Sequence, residues 1–345
     1  MAYDIVSIMK AIRDNATAEY TTRVPEATKT NFTEVGNVIT SYTTTANEFI
    51  GALVNRIAMV VISNKMINNP MAVLKKGGVP LGQDIQEVFT NPSVAETYTL
   101  TSTDLLTNKA PDVKSIYYRL NRKDKYSVTV TREMLSLAFT NEAQMSQLID
   151  SIISSLYSGD NFDEFIMMKN LMKKAVDSDH ITKVIVYDEN TETLSDEVTS
   201  RELVKQVKRF SNLMTFPSSL YNKYASITSD AKPVITWTPM EDQILILDSV
   251  VASNIDVEVL ARAFNMDKAN IQTRTLNIDN FGGADVLALL CDKSFFQVYD
   301  NMKEMSSFYN PDNLTNKYFL HHWQTYGYSI FANAVAFMYT PSTES

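Results

Sequence analysis

The stretch "FLHHWQTY", residues 319–326, sets His321 beside His322 and next to Trp323. The chain holds three histidines and two tryptophans in 345 residues, so this cluster gathers its rarest side chains. Paired imidazoles suit a metal ion or proton transfer near neutral pH. Local geometry decides whether either is within reach. On a strand, adjacent side chains point to opposite faces. The segment is aromatic and β-prone, so His321 and His322 are expected to face apart and not to chelate one ion readily. Cross-strand packing of Tyr318, His322, Trp323 and Tyr326 is the structural reading of the same residues.

Other candidate chemistry is thinner. "LKKGGVPLGQD" (74–84) mimics a phosphate cradle. It lacks the Gly-Lys-Ser/Thr ending and a following helix, so it reads as a turn or loop with surface lysines. Asp163 and Glu164 are neighbours on an expected helix and point about 100° apart, poor geometry for a carboxylate pair. His180, in "DSDHIT", reads as a solvent-facing turn residue. Cys291, inside "VLALLC" (286–291), reads as an inert core thiol. As the single cysteine it rules out an intrachain disulfide and a multi-cysteine zinc site, and it fits a reducing, intracellular origin. No His-Glu-x-x-His, calcium loop or Gly-x-Ser-x-Gly occurs. The residues favour a structural or interaction protein with no catalytic residues, no metal and no cofactor. A metal-dependent enzyme using His321 and His322 is the rival from another class.

The elements that must carry these residues can be read from periodicity and charge. The formal charge is −9, which argues against tight gripping of nucleic-acid phosphates. Asp4 and the lack of an apolar core argue against a signal peptide. Runs such as "IAMVVI" (57–62) are far short of the roughly 20 residues a bilayer span needs. Residues 3–13 form an expected amphipathic helix. Residues 17–45 hold ten threonines and few large apolar side chains, so they are expected to be either a disordered tail or an extended arm that becomes ordered on a partner. Residues 66–132 read as a β-rich excursion with nine Lys/Arg against six Asp/Glu, +3 inside a −9 chain. Its cations Lys75, Lys76, Arg119, Arg122, Lys123 and Lys125 are the candidates for contacts between subunits. Residues 142–176 carry the strongest helical repeat, from Met145 through Leu148, Ile149, Ile152, Ile153 and Leu156. Strands are expected at 183–188, 243–249, 274–279 and 285–292, and helices at 200–214 and 256–268.

The whole series resembles the major capsid (head) protein of small podoviruses of the phi-29 type. The matching stretches run in order along nearly the entire chain: "YDIVSIMKAIRDN", "VPEAT", "EVGNVI", "FIGALVNRIAMVVI", "NNPMAVLKKGGVPLGQDIQEVFT", "PDVKSIYYRLNRKDKYSVTV", "DVEVLARAFNMDKANI", "VYDNMKEM" and "HHWQTYGYSIFANAVAF". The resemblance implies an α+β, HK-97-like capsid fold. Its expected parts are an N-terminal arm (1–48), a P-domain entry (49–65), an E-loop (66–132), a P domain with a long spine helix (133–182), an A domain (183–305), and a P-domain return strand with the C-terminus (306–345). It also implies a subunit of hexamers and pentamers in the icosahedral or prolate head of a tailed dsDNA bacteriophage. Implied partners are copies of itself, a scaffolding protein and a portal or connector, with packaged DNA touched weakly and no membrane. Implied location is the virion, after assembly in the bacterial cytoplasm. The phi-29-type protein adds an immunoglobulin-like domain at its C-terminus, whereas "FANAVAFMY" here is followed closely by Ser345, so a subunit without that domain is expected. An encapsulin-like nanocompartment shell shares the fold and is the nearer alternative.

Overall fold

The computed structural model describes residues 5–60, 67–95, 97, 109–140, 142–178, 180–188, 197–222, 224, 233–255, 275–281 and 285–340. In chain order, four helices come first: α1 (Ile5–Asp14), α2 (Ala18–Arg23), α3 (Phe32–Ser41) and α4 (Thr43–Val60). Strands β1 (Lys75–Gly78), β2 (Ile85–Thr90), β3 (Val113–Tyr118) and β4 (Arg122–Thr131) follow. Then come α5 (Arg132–Ala138), α6 (Glu142–Asp177), β5 (Thr182–Asp188), α7 (Glu197–Met214), β6 (Gln243–Asp248), α8 (Ser249–Asn254) and β7 (Thr275–Ile278). The chain closes with β8 (Val286–Asp292), β9 (Phe296–Asn310), β10 (Thr315–Tyr328) and β11 (Ala334–Thr340). The expected helix at 256–268 lies outside the described residues. At 1.5 Å per residue, the 36 residues of α6 extend about 54 Å.

Two compact units share the chain. The first comprises 1–69, 122–165 and 301–323. Its core joins α1, α3, α4, α5 and the first half of α6, with Tyr318 and Leu320 from β10. Residues 17–45 depart here from both expected forms, a disordered tail and an extended arm. They form α2, α3 and the start of α4, and they bury Tyr20, Val24, Phe32, Val35 and Ile39 in this core. The apolar residues are few but fall at helical spacing, at 32, 35 and 39, so a sparse stripe suffices. The threonines do not break the helices because their hydroxyls bond back to carbonyls one turn earlier. Thr21 bonds Thr17, Thr22 bonds Ala18 and Thr40 bonds Gly36. Thr17 caps α2, and both its backbone N–H and its hydroxyl donate to Glu48 on α4, at 2.6 and 2.9 Å.

The second unit comprises 70–121, 166–300 and 324–345. Its five-stranded sheet has the order β5-β11-β8-β6-β7. β11 is parallel to β5 and antiparallel to β8, and β6 is antiparallel to β8 and parallel to β7. β8 is the central strand and reads as an unbroken apolar run, as a strand covered on both faces should. Leu203, Val204 and Val207 of α7 pack in one cluster with Leu290, Val335 and Phe337 of the sheet. β2 and β3 form a separate two-stranded antiparallel ribbon, in register from Ile85↔Tyr118 to Thr90↔Val113. β1 runs parallel to the first residues of β9.

Candidate assembly surfaces and a buried charge cluster

β10 alternates as its sequence demands. Tyr318, Leu320, His322 and Gln324 are buried, while His321 lies on the opposite face, 2.9 Å from the Ser306 hydroxyl. The two histidines therefore face apart, as the strand period requires. His322 does more than pack among aromatics. Its Nδ1 lies 2.6 Å from Asp160 Oδ1 on α6, with both side chains fully buried. Arg122 Nη2, from the first residue of β4, donates to the same oxygen at 3.3 Å, and Lys303 Nζ of β9 stands 2.7 Å from Oδ2. Arg122 also pairs with Asp124 and donates to the Tyr126 hydroxyl at 2.7 Å, which in turn donates to Asp163 at 2.8 Å. One helix carboxylate thus ties together three strands. Burial pushes the Asp160 carboxyl up, but the His322 hydrogen bond and the Lys303 charge outweigh it and hold the group below its ordinary range.

Asp163 and Glu164 diverge as their helical positions dictate. Asp163 meets Tyr126, while the buried Glu164 accepts from Asn69 Nδ2 at 2.7 Å. Within "LKKGGVPLGQD", residues 75–78 are a strand and no helix follows before β2, so the segment has no phosphate-binding geometry. Gly77 and Gly82 adopt positive φ, at 120° and 83°, which explains the glycines as turn residues. Cys291 is fully buried at the middle of the sheet, and burial pushes its thiol up. His180 differs from the expected solvent-facing residue. Its Nδ1 lies 3.2 Å from the Tyr328 hydroxyl, and it helps line a cavity of about 750 Å³ with Tyr118, Tyr326, Leu171 and Lys174.

The six candidate contact cations separate into distinct settings. Arg119 pairs with Asp84 on an exposed part of the ribbon. Lys123 and Lys125 lie over the rings of Trp323 and Phe319, at 4.9 and 5.2 Å. Lys75 pairs with Asp300 at 2.7 Å, and Lys76 donates to the Lys293 carbonyl. Burial pushes the Lys76 ammonium down, with the nearby Asp292 and Glu87 charges opposing it. Arg122 is the correction: its guanidinium is 1% exposed and its partners are internal, so it is not offered to a neighbouring subunit. In sequence it is one of a run of charges, "NRKDK". Only strand alternation, which turns Arg122 inward and Lys123 outward, distinguishes it.

This architecture recurs in solved phage shells. The chain aligns with a chain of the capsid structure of Staphylococcus phage Andhra at TM-score 0.63 and 14% identity, over 82% of this chain and 87% of that one. It aligns with a chain of the structure described as the head fiber and inner core protein gp22 of native bacteriophage P68 at TM-score 0.60 and 13% identity, over 81% and 87%. The class is therefore the HK-97-like capsid fold of tailed bacteriophages. Within it, the chain belongs to the Phi29-like phage major capsid protein family, whose model matches residues 9–338. It is 34% identical over 339 residues to the major capsid protein of Bacillus phage PZA, covering 98% of this chain and 73% of that one. The major capsid protein of Streptococcus phage Cp-1 is 28% identical, with 95% and 92% covered. The family is structural and forms shells. Among the described residues, no helix is long and apolar enough to cross a membrane.

Proposed function

We propose that the chain assembles with copies of itself, as hexamers and pentamers, into the icosahedral or prolate head of a tailed dsDNA phage, and that it turns over no substrate. Residues 66–132 act as the E-loop, α6 as the spine helix, 183–305 as the A domain and 306–345 as the return to the P domain. Residues 1–48 act as the N-terminal arm, in which α1, α2, α3 and the start of α4 replace an extended course. A scaffolding protein and a portal or connector are the partners during assembly in the bacterial cytoplasm. The −9 charge favours weak contact with packaged DNA.

The observation that carries this reading is the β2–β3 ribbon. Two strands alone are marginal in water, and both outer edges are unpaired among the described residues. Val88, Val113 and Tyr117 on it are more than half exposed. Such a ribbon suits the surface of a neighbouring subunit. Arg119, just past the end of β3, and Lys123 and Lys125, on β4, supply positive charge toward an acidic neighbour. The test is electron microscopy of the chain expressed with and without a scaffolding protein. Closed shells that depend on the scaffold are expected; a persistent monomer in both cases would overturn the proposal.

A further inference from the structure

The segment Val234–Thr238 has its polarity reversed. Val234, Thr236 and Thr238 are buried, whereas Ile235 and Trp237 face water, Trp237 with 58% of its surface exposed. Folding of a lone chain favours the opposite arrangement, tryptophan inside and threonine outside. The buried threonines are fixed by hydrogen bonds. Thr236 Oγ1 donates to Asn333 Oδ1 at 2.5 Å, and Thr238 Oγ1 donates to Asp292 Oδ2 at 2.9 Å and accepts from Asn333 Nδ2 at 3.1 Å. The backbone is fixed as well. Thr236 and Ser218 exchange two hydrogen bonds of 3.1 and 2.9 Å, and the Ile235 N–H donates to Asn91 Oδ1 at 3.1 Å.

Phe216 and Leu220 are also exposed, at 65% and 70%. Both lie within two residues of the Ser218–Thr236 bridge, as do Ile235 and Trp237, so all four exposed side chains leave the backbone close to one fixed point. Large aromatic side chains present about 150–250 Å² each when fully exposed. On that scale the four leave on the order of 400–500 Å² in water. That summed area is comparable to the largest apolar patch on a typical monomer, which is often functional. It is about half of the roughly 800 Å² that each partner contributes to a stable one-to-one complex. A patch of this size is too small to hold a dimer alone. It fits one of several contacts made by a subunit surrounded by copies of itself.

We propose that Phe216, Leu220, Ile235 and Trp237 form a self-docking surface, covered in the assembled particle by a second copy of this chain, with Trp237 as its anchor. The proposal rests on the shell reading above. Exposed tryptophan on a rigid backing has the character of an interface hot spot, because little side-chain or loop ordering is needed on docking.

The experiment uses the full chain co-expressed with a scaffolding protein. A Trp323→Phe variant leaves Trp237 as the sole tryptophan. Its emission should shift to the blue on assembly as water leaves the indole. In the otherwise natural chain, Trp237→Ser should leave the thermal melt of the subunit in place and raise the critical concentration for assembly about tenfold or more. A photo-crosslinker at position 237 should capture a second copy. Shells of Trp323→Phe whose emission equals that of the free subunit would overturn the surface and leave the shell reading standing. Capture of the scaffolding protein in place of a second copy would also overturn it. Failure of the unaltered chain to form shells would remove both readings.

Discussion

Gly327 lies directly beneath the ring of Tyr118: a Cβ added at Gly327 would come within 2.5 Å of the Tyr118 Cδ1. The approach lets the Tyr118 hydroxyl reach Glu87 Oε2 at 2.5 Å, while Ser329 Oγ donates to Glu87 Oε1 at 2.6 Å. The root of the ribbon is thus fixed by one aromatic side chain resting on one missing methyl group. Gly327→Ala should force the ring aside and cost about 1–3 kcal/mol. Urea unfolding of the variant checks this. Gly327→Ala in a Tyr118→Ala background should recover part of the loss, because the clash is then gone.

Asp160 makes stability depend on acid in a defined direction. Its folded pKa lies below the unfolded value, so its contribution is complete above the ordinary carboxylate range of about 4 and is lost as pH falls through the folded pKa. Asp160→Asn leaves Arg122 and Lys303 without this counter-charge and should cost about 3–5 kcal/mol at neutral pH. The gap between natural chain and variant should shrink as pH drops below about 4. Urea midpoints from about pH 2.5 to 7 measure it; a gap that stays constant would show that the pairing is not what Asp160 contributes.

Tyr318 is fully buried, and its hydroxyl has no hydrogen-bond partner among the described residues. Burial also pushes that hydroxyl's pKa up. Tyr318→Phe removes an unsatisfied polar atom at constant shape. It should stabilise the subunit by about 1 kcal/mol, read as a higher melting temperature.

The charged candidates separate by setting. Reversing Arg119, Lys123 and Lys125 to Glu should leave the subunit folded and weaken assembly, most at low salt, where repulsion is least screened. Single reversals should change little, since exposed pairs are worth about 0–1 kcal/mol. Arg122→Glu should instead unfold or strongly destabilise the subunit, because it buries a third carboxylate beside Asp160 and Asp124. Melts and sedimentation of both sets decide.

Deletion of residues 1–45 removes Ile5, Met9, Ile12, Tyr20, Phe32, Val35 and Ile39 from a core. At about 1.5–3 kcal/mol for each large apolar side chain, the loss of about 10–21 kcal/mol is as large as the roughly 5–15 kcal/mol that holds a typical domain together. The truncated chain should show no cooperative melt by circular dichroism. A melt like that of the full chain would restore the extended-arm reading.

Much of the fold was legible because period and composition agreed. α6 announced itself through six apolar residues at three- and four-residue spacing, and β8 through an unbroken apolar run. The opposite facing of His321 and His322 followed from the strand period alone. The failures share one cause: composition was weighed over spacing or over partners distant in sequence. Ten threonines masked the stripe of Phe32, Val35 and Ile39. The charges of "NRKDK" looked equivalent until strand alternation placed Arg122 against Asp160, 38 residues away. His180 read as a surface residue because Tyr328, 148 positions on, is invisible to any local window.

Cys291 stands opposite Ala334 on one side and Ile244 on the other, within the central strand of the sheet, and no part of it touches water. The folded subunit is therefore blank to maleimides and other thiol probes, although it contains a sulfhydryl. A cysteine introduced at an exposed position would become the single addressable handle per subunit, giving a shell that can be derivatised at one chosen point with no background from the parent chain. The hidden thiol then serves a second purpose, because its sudden reactivity toward Ellman's reagent would time the opening of the sheet.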